Sequence, residues 1–325
     1  MGITEVFINR YGRLRSGWRF AVFLLALFLL SGVFGGVLGA ISYYLPIGFS
    51  PPGLLGFLIP LFVLLTLAIF IGWLCGKYLE GLPFRALGAW FTKNWLKDFG
   101  LGLLFGAASI GLAALITIIF GATTFQFNAA AGSAAILWTL AVSLGVFTFG
   151  AAAEEAFFRG YILQTFARAN LILFAVFLTS LLFAFTHTSN PSANYLSFVN
   201  TALAGLWFGA AYLKTRTLWF ATGLHLAWNW VQGAILGISV SGINEITVAP
   251  LLQSANVGST VLTGGDYGIE GGIACTIALI ISTVLIWFAP FLKPTEEMLK
   301  LTSGENLYNA DSAIESREDF KSFES

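Results

Sequence analysis

Long apolar runs, separated by short polar or Gly/Pro-rich stretches, make up most of this chain. A helix of about 20 apolar residues crosses the hydrocarbon core of a bilayer. The chain has eight runs near that length, separated by breaks such as "LPIGFSPPG", "TSNPSAN" and "LKTRT". The predicted spans are residues 19–41, 54–76, 98–120, 136–163, 171–188, 195–213, 217–237 and 271–292. The pattern therefore predicts an all-α integral membrane protein, a bundle of about eight transmembrane helices.

Composition strengthens this prediction. Of the 325 residues, 57% are hydrophobic and 10% are charged, whereas an ordinary globular domain has about 25% charged residues. The formal net charge is zero, so no basic field indicates a nucleic-acid partner. The first apolar run is longer than the roughly 7–15 residues of a signal-peptide core, which predicts a retained helix. We expect a multi-pass protein of the cell membrane.

The basic residues orient the predicted bundle. Of the 16 Lys and Arg residues, all except Arg159 fall before the first predicted span or after the second, fourth, sixth and eighth. Basic loops stay on the cytoplasmic side of a membrane, so both termini are predicted to be cytoplasmic. The long connection 238–270 lies on the opposite side, and its charged residues Glu245, Asp266 and Glu270 are acidic.

The chain divides into four predicted parts. Residues 1–134 form N-terminal helices 1–3, residues 135–240 form a catalytic core of helices 4–7, and residues 241–292 form an outer loop and the last helix. Residues 293–325 contain half of the 16 acidic residues and few apolar ones. That composition predicts a polar, solvated or disordered cytoplasmic tail.

Charged residues inside the spans are the candidates for chemistry. Glu154, Glu155 and Arg159 lie in the fourth span, and the two histidines, His187 and His225, lie in or beside the fifth and seventh. A charge at the bilayer centre costs at least about 2.5–3.5 kcal/mol, so such residues pair, face a cavity or act in catalysis.

Helical geometry separates the two adjacent glutamates. Glu155 and Arg159 are four residues apart and can form an ion pair on one helix face. Glu154 lies about 140° around the helix from Arg159, at about 100° per residue. We therefore predict that Glu155 is neutralised in a structural ion pair and that Glu154 is available for chemistry.

Two further motifs supply hydrogen-bonding groups. "FAFTH" places Phe183 and His187 four residues apart, and "HLAWN" does the same for His225 and Asn229. A carboxylate, two imidazoles and a carboxamide suffice to activate water and to stabilise an oxyanion. His187 would lie about 25 Å along its helix and His225 about 12 Å along its own, at about 1.5 Å per residue. The two helices must therefore be tilted or offset if these groups meet.

Together, E-E-x-x-x-R, F-x-x-x-H and H-x-x-x-N on successive hydrophobic helices resemble the CPBP family, the CAAX-protease and bacteriocin-processing intramembrane glutamic endopeptidases. The resemblance covers about residues 135–240, and the later segment "LTGGDYGIEGG" is similar to bacterial members. It implies that Glu154 and His187 activate the attacking water. It also implies that His225 and Asn229 stabilise the oxyanion, and that Glu155 and Arg159 hold the helix and its charge balance.

The resemblance implies a membrane-embedded hydrolase acting on a peptide or protein substrate, with or without an attached lipid, in contact with membrane lipid. Catalysis is expected to need no cofactor. Two alternatives remain open. Glu154, His187 and His225 could bind zinc in a metalloprotease, although the chain has no H-E-x-x-H motif. A non-catalytic transporter or immunity protein could instead use the charged cluster as a proton site.

Overall fold

The computed structural model describes residues 3–44 and 54–304. A helix occupies each of the eight predicted spans. The main helices are α1 Ser16–Tyr44, α2 Leu54–Cys75, α3 Trp95–Ile119, α4 Ser133–Glu155, α5 Ile172–Thr186, α6 Tyr195–Thr215, α7 Leu218–Trp230 and α8 Ile273–Phe288. Short helices at Ile3–Phe7, Thr260–Thr263 and Glu296–Thr302 supplement them. The predicted break at 45–53 and residues 305–325 of the predicted tail lie outside the described residues.

The predicted fold class, an all-α membrane protein, is confirmed. Within the described residues, five helices are long and apolar enough to cross a membrane. They are Ser16–Ala40, Gly56–Glu80, Trp95–Ile119, Ser133–Arg168 and Tyr195–Thr215. Helices α5 and α8 are apolar but shorter. The number of crossings and the side on which each terminus lies therefore remain predictions.

The fourth helix runs past the end of the predicted span. After Glu155 the helix widens into a π-helical turn, Ala156–Ile162, and then continues as an α-helix over Leu163–Arg168. Such π turns are rare and occur frequently at functional sites. This one begins directly after the two glutamates and contains Arg159.

Helices α3 and α7 approach each other unusually closely because glycines line their contact. A Cβ atom added at Gly102 or Gly106 would overlap a backbone carbonyl oxygen of α7, and one added at Gly223 would overlap a carbonyl oxygen of α3. Small residues spaced in this way let membrane helices pack backbone against backbone. Helix α7, which contains His225, is consequently buried on most sides between α3, α4 and α6.

A small sheet joins two connections that the sequence pattern did not identify as strands. β1, Thr123–Phe127, pairs antiparallel with β2, Leu252–Asn256, with Thr123 opposite Asn256 and Phe127 opposite Leu252. Each strand has only five residues, too few for a period-2 pattern to be distinguished from a loop. The pairing attaches the connection between α3 and α4 to the long connection before α8.

Two of the basic residues used to orient the bundle are buried rather than solvated. Arg19 lies 3.0 Å from Glu80 (Nη1 to Oε2), and Arg168 lies 2.9 Å from the other oxygen of the same carboxylate. Gln164 accepts a further hydrogen bond from Arg168. This cluster links the start of α1, the end of α2 and the end of the fourth helix, so these three chain segments meet at one end of the bundle.

The described beginning of the predicted tail, residues 293–304, contains a short helix, and the prediction of a solvated or disordered tail remains a prediction. Residues Glu296–Thr302 form a helix capped by the Thr295 side chain. Met298 on this helix is fully buried, and Glu297 pairs with Arg85 at 2.8 Å (Oε1 to Nη1). One apolar side chain and one ion pair therefore attach this segment to the connection between α2 and α3.

Candidate active site

A cavity of about 360 Å³ lies among α2, α4, α5, α6 and α7. Glu154, His187, His225 and Asn229 all line it. Its wall is otherwise largely apolar. The structure thus places the four side chains predicted to take part in catalysis around one cavity, although they come from three different helical segments.

Glu155 and Arg159 form the predicted ion pair. The Arg159 Nη1 donates to Glu155 Oε1 at 3.0 Å, and neither side chain has any exposed surface. Nη2 of the same guanidinium donates to the Gly205 carbonyl at 2.8 Å. The guanidinium also lies over the rings of Phe183 and Phe208, 5.1 and 5.2 Å from their centroids. The ion pair therefore joins the fourth helix to α5 and α6 beside the cavity.

His225 lies between the two glutamates, a contact that the sequence analysis missed. Its Nδ1 is 3.1 Å from Glu155 Oε1 and its Nε2 is 3.7 Å from Glu154 Oε2. The imidazole stacks on Phe208, with centroids 4.4 Å apart. A neutral imidazole has one donor and one acceptor nitrogen, whereas the protonated ring has two donors. Each ring nitrogen of His225 therefore faces a carboxylate oxygen.

His187 ends α5 and is positioned from its own helix. Its Nδ1 lies 2.8 Å from the Phe183 carbonyl oxygen and 3.2 Å from the Thr186 hydroxyl. Because a carbonyl oxygen only accepts, Nδ1 carries the proton and Nε2 is left as an acceptor. The Phe183 ring packs against the imidazole at 4.7 Å, as the spacing predicted. Nδ1 of His187 thus contacts a carbonyl oxygen of its own helix, whereas Nδ1 of His225 contacts a carboxylate of another helix.

The predicted mismatch in depth between the histidines amounts to about one helical turn. Phe183 lies one turn before His187, and its ring is 6.0 Å from that of His225. His225 is therefore level with Phe183, and His187 lies one turn nearer the α5–α6 connection. The shared cavity accommodates this offset because its wall extends from Glu154 to the loops at that end of the bundle.

Glu154 differs from its neighbour in its surroundings. Its side chain is 27% exposed, whereas the Glu155 side chain has no exposed surface. Asn229, one turn after His225 on α7, lines the same cavity. Glu155 is thus the paired glutamate, and the availability of Glu154 for chemistry remains a prediction.

Several polar residues of the cavity lie outside the predicted catalytic core 135–240 or were not selected within it. Asn190, Asn200, Ser241 and Glu270 line the end of the cavity away from Arg159. Glu270 accepts hydrogen bonds from Trp228 Nε1 at 3.1 Å and from Ser241 N and Oγ at 2.6 and 2.8 Å. The glycine-rich segment that contains Glu270 was the only feature of the sequence that pointed to this part of the cavity. Nothing in that segment predicted that Glu270 contacts Trp228 of α7.

The described part of the chain contains no group of three His, Cys, Asp or Glu side chains arranged to hold a metal ion. The zinc alternative required Glu154, His187 and His225 to converge on one point. Whether catalysis depends on a metal remains a prediction to be tested by experiment.

Comparison with known proteins gives two matches. Residues 136–231 match the family model of Type II CAAX prenyl endopeptidase Rce1-like proteins, and this segment contains every motif residue named above. The chain is also 28% identical over 152 residues to an uncharacterized protein, YyaK, of Bacillus subtilis (strain 168). That alignment covers 45% of this chain and 46% of the relative, so the chain matches less than half of the relative's length.

The resemblance inferred from the three motifs is therefore confirmed over the segment that carries them. The family match supports a CAAX-type membrane protease in general terms. The catalytic residues, the mechanism and the substrate are not contained in that match and are proposals.

Proposed function

We propose that this protein is an intramembrane endopeptidase that hydrolyses a peptide bond with a water molecule activated by Glu154. The observation that carries the proposal is the shared cavity, which is lined by the Glu154 carboxylate, two histidines and the Asn229 carboxamide. The substrate is a peptide or protein, with or without an attached lipid.

Glu154 and His187 are proposed to bind and activate the water. The Glu154 side chain is 27% exposed and lines the cavity, and its carboxylate can accept a proton. His187 is oriented through Nδ1 by the Phe183 carbonyl, so its Nε2 can accept a hydrogen bond from the same water. Positioned general bases of this kind contribute typically 10²–10⁴-fold to a rate.

His225 and Asn229 are proposed to stabilise the tetrahedral intermediate. With Nδ1 of His225 donating to Glu155, Nε2 can donate to the oxyanion, and the Asn229 side-chain amide supplies a second donor. Removal of one oxyanion donor typically costs about 10²–10³ in turnover. Stacking on Phe208 and the bond to Glu155 limit the motion of the imidazole, as preorganisation requires.

The proposed reaction balances without a cofactor. Glu154 removes a proton from water, and the hydroxide attacks the carbonyl carbon of the scissile peptide bond. As the intermediate collapses, the C–N bond breaks and the proton held by Glu154 passes to the leaving amine nitrogen. The products are a carboxylic acid and an amine, which become a carboxylate and an ammonium group when the acid proton passes to the amine through water, and Glu154 returns to its ionised form.

The test is cleavage of a peptide library by the purified protein in detergent, with products identified by mass spectrometry. The library contains each sequence with and without a prenyl group, so the same assay reports any lipid requirement. Glu154→Gln preserves the size of the side chain but removes the base, and we expect turnover to fall at least about 10³-fold. Its melting temperature should remain close to that of the native protein, because Glu154 is outside the buried ion pair.

Native-like cleavage by Glu154→Gln would refute the assignment of the base. Asp266→Asn, which removes an exposed carboxylate outside the cavity, is the matched control and should cleave normally. A native protein that cleaves no peptide, but whose Glu154→Gln variant loses coupled transport in vesicles, would favour the transporter alternative.

A further inference from the structure

We infer that the active-site cavity is entered from the non-cytoplasmic end of the bundle, so that the substrate is a peptide or a protein segment presented on that side of the membrane. This inference rests on the proposed peptidase function. It follows from combining two observations that are independent of each other, the distribution of basic residues along the chain and the position of the cavity in the fold.

Contacts within the structure assemble the basic segments at one end. The Gly88 carbonyl accepts from the Leu218 amide at 2.9 Å, which joins the α2–α3 connection to the α6–α7 turn. The Arg85–Glu297 pair joins the same connection to the chain after α8. The cluster around Glu80 adds the start of α1 and the end of the fourth helix. We call this the basic end, and the positive-inside rule places it in the cytoplasm.

The remaining connections meet at the opposite end. Ser254 donates to the Gly237 carbonyl at 2.7 Å, and Asn190 donates to the Ser241 carbonyl at 3.1 Å. The β1–β2 pairing joins the α3–α4 connection to the same group. The connections at this end, residues 120–132, 187–194 and 236–272, contain no Lys or Arg. The connections at the basic end therefore differ from these three in carrying basic residues.

The cavity belongs to this second end. Among its lining residues are Asn190 of the α5–α6 connection and Ser241, Ile243, Ile246 and Glu270 of the connection before α8. None of its lining residues comes from the connections that form the basic end. The cavity therefore extends from the middle of the bundle towards the end that carries no basic residues.

The path from the basic end to Glu154 is blocked by packed side chains. Directly after the Glu155–Arg159 pair, Tyr161, Ile162 and Leu163 are completely buried. They pack in the cluster that also contains Phe23 and Tyr212. Glu154 nevertheless retains 27% exposure. Since protein interiors are close-packed, solvent and substrate reach Glu154 from the side away from this layer.

A second cavity widens the same end. Its volume is about 670 Å³, and it is lined by Phe185, Phe198 and Tyr267 together with residues of the α5–α6 connection. His187 and Thr201 line both cavities. His187 thus stands where the two spaces meet, and an extended peptide can pass from the wider space to the catalytic residues without crossing the bundle.

The consequence concerns the substrate class. A peptide exposed only in the cytoplasm would have no route to Glu154 from its own side. The suitable substrates are exported peptides, or segments of membrane proteins that emerge on the non-cytoplasmic face. The entrance is formed by the connections before α6 and α8 together with the adjoining ends of α5 and α6.

The first experiment determines the orientation of the cavity without using catalysis. Cys75 and Cys275 are replaced by Ala, and single cysteines are introduced as Glu245→Cys in the connection before α8 and Lys93→Cys at the basic end. Both native residues are exposed. A membrane-impermeant maleimide should label Glu245→Cys in sealed spheroplasts and Lys93→Cys only in inverted vesicles. The reverse pattern would overturn the inference.

The second experiment tests the route. Ile246→Cys lies on the cavity wall, whereas Glu245→Cys is its neighbour outside the cavity. After modification with a bulky maleimide applied to spheroplasts, cleavage of an added peptide should fall at least ten-fold in Ile246→Cys and less than two-fold in Glu245→Cys, each relative to its unmodified form. Unchanged cleavage by modified Ile246→Cys would exclude this entrance. Labelling is read without turnover, so failure of the inference is distinguishable from failure of the peptidase proposal.

Discussion

Replacing Glu155 by Gln should destabilise the protein, because Arg159 loses its partner, and should lower turnover, because His225 loses its carboxylate partner. Glu155 and Arg159 are both fully buried and lie 3.0 Å apart, so the substitution leaves an uncompensated guanidinium in a low-dielectric interior. Breaking a buried pair by removing one partner costs about 3–5 kcal/mol. Gln retains an oxygen that can still accept from Arg159 and His225, so we expect the lower end of that range, about 3 kcal/mol, and a loss nearer 5 kcal/mol for Glu155→Ala.

The double variant Glu155→Gln with Arg159→Met separates the two effects. Removing the orphaned charge should recover part of the lost stability, because apolar replacements of buried pairs are often neutral or stabilising. Turnover should not recover, since Nδ1 of His225 still lacks its carboxylate partner. The measurements are thermal melting in detergent and peptide cleavage at a temperature where all variants are folded.

Glu154→Gln is the matched control for melting, because it makes the same chemical change one residue away at a side chain that is 27% exposed. The reasoning would be refuted if Glu155→Gln melted like the native protein. It would also be refuted if the double variant melted below Glu155→Gln. A folded but inactive Glu155→Gln beside an active Glu154→Gln would reverse the roles of the two glutamates.

Three further predictions follow from individual contacts. Gly106→Ala would overlap the α7 backbone and should lower the melting temperature, whereas Gly100→Ala on the same helix meets no atom within 4 Å and should be neutral or slightly stabilising. Glu270→Gln should raise KM more than it lowers kcat, because the carboxylate holds Trp228 and Ser241 at the cavity wall. A lower kcat with an unchanged KM would contradict this prediction. Activity should persist in a strong chelator, and loss restored specifically by zinc would favour a metalloprotease.

The helices were predictable because their signal is strong and redundant. Each predicted span contains enough apolar residues to be recognised without knowledge of its neighbours, and the resulting boundaries lie within a few residues of most observed helices. Helix α7 shows the limit of this approach. It is followed by a π-helical turn over Val231–Ile235, a local widening that no hydropathy pattern encodes.

The ion pair of the site was predictable because it is local. Glu155 and Arg159 are four residues apart, and the helix alone brings them together. The contact between Glu155 and His225 joins residues 70 positions apart and depends on how closely α7 packs against the fourth helix. The glycines between α3 and α7 determine how closely these helices pack. Glycine has no functional side chain, so the sequence did not indicate that these residues affect the site.

The contacts of Glu270 were not predicted for a related reason. An acidic residue in a glycine-rich connection is most often solvated, and the sequence contains no pattern that pairs it with Trp228. The positive φ values at Gly264 and Gly268, together with the close backbone contacts of Gly272, fold this connection back onto the bundle. The carboxylate then meets donors from α7 and from Ser241 that are 42 and 29 residues away along the chain.

Two glutamates that are neighbours in the chain thus acquire different roles from their surroundings alone. Glu155 is enclosed by Arg159 and His225 and has no exposed surface, whereas the Glu154 side chain is 27% exposed and lines the cavity. Opposed environments around a pair of titratable groups are a general way to assign acid–base roles. A buried ion pair is a weak source of net stability compared with apolar replacements. The Glu155–Arg159 pair is therefore better explained by what it positions, since the same Glu155 oxygen that binds Arg159 also fixes Nδ1 of His225 and so directs Nε2 towards Glu154.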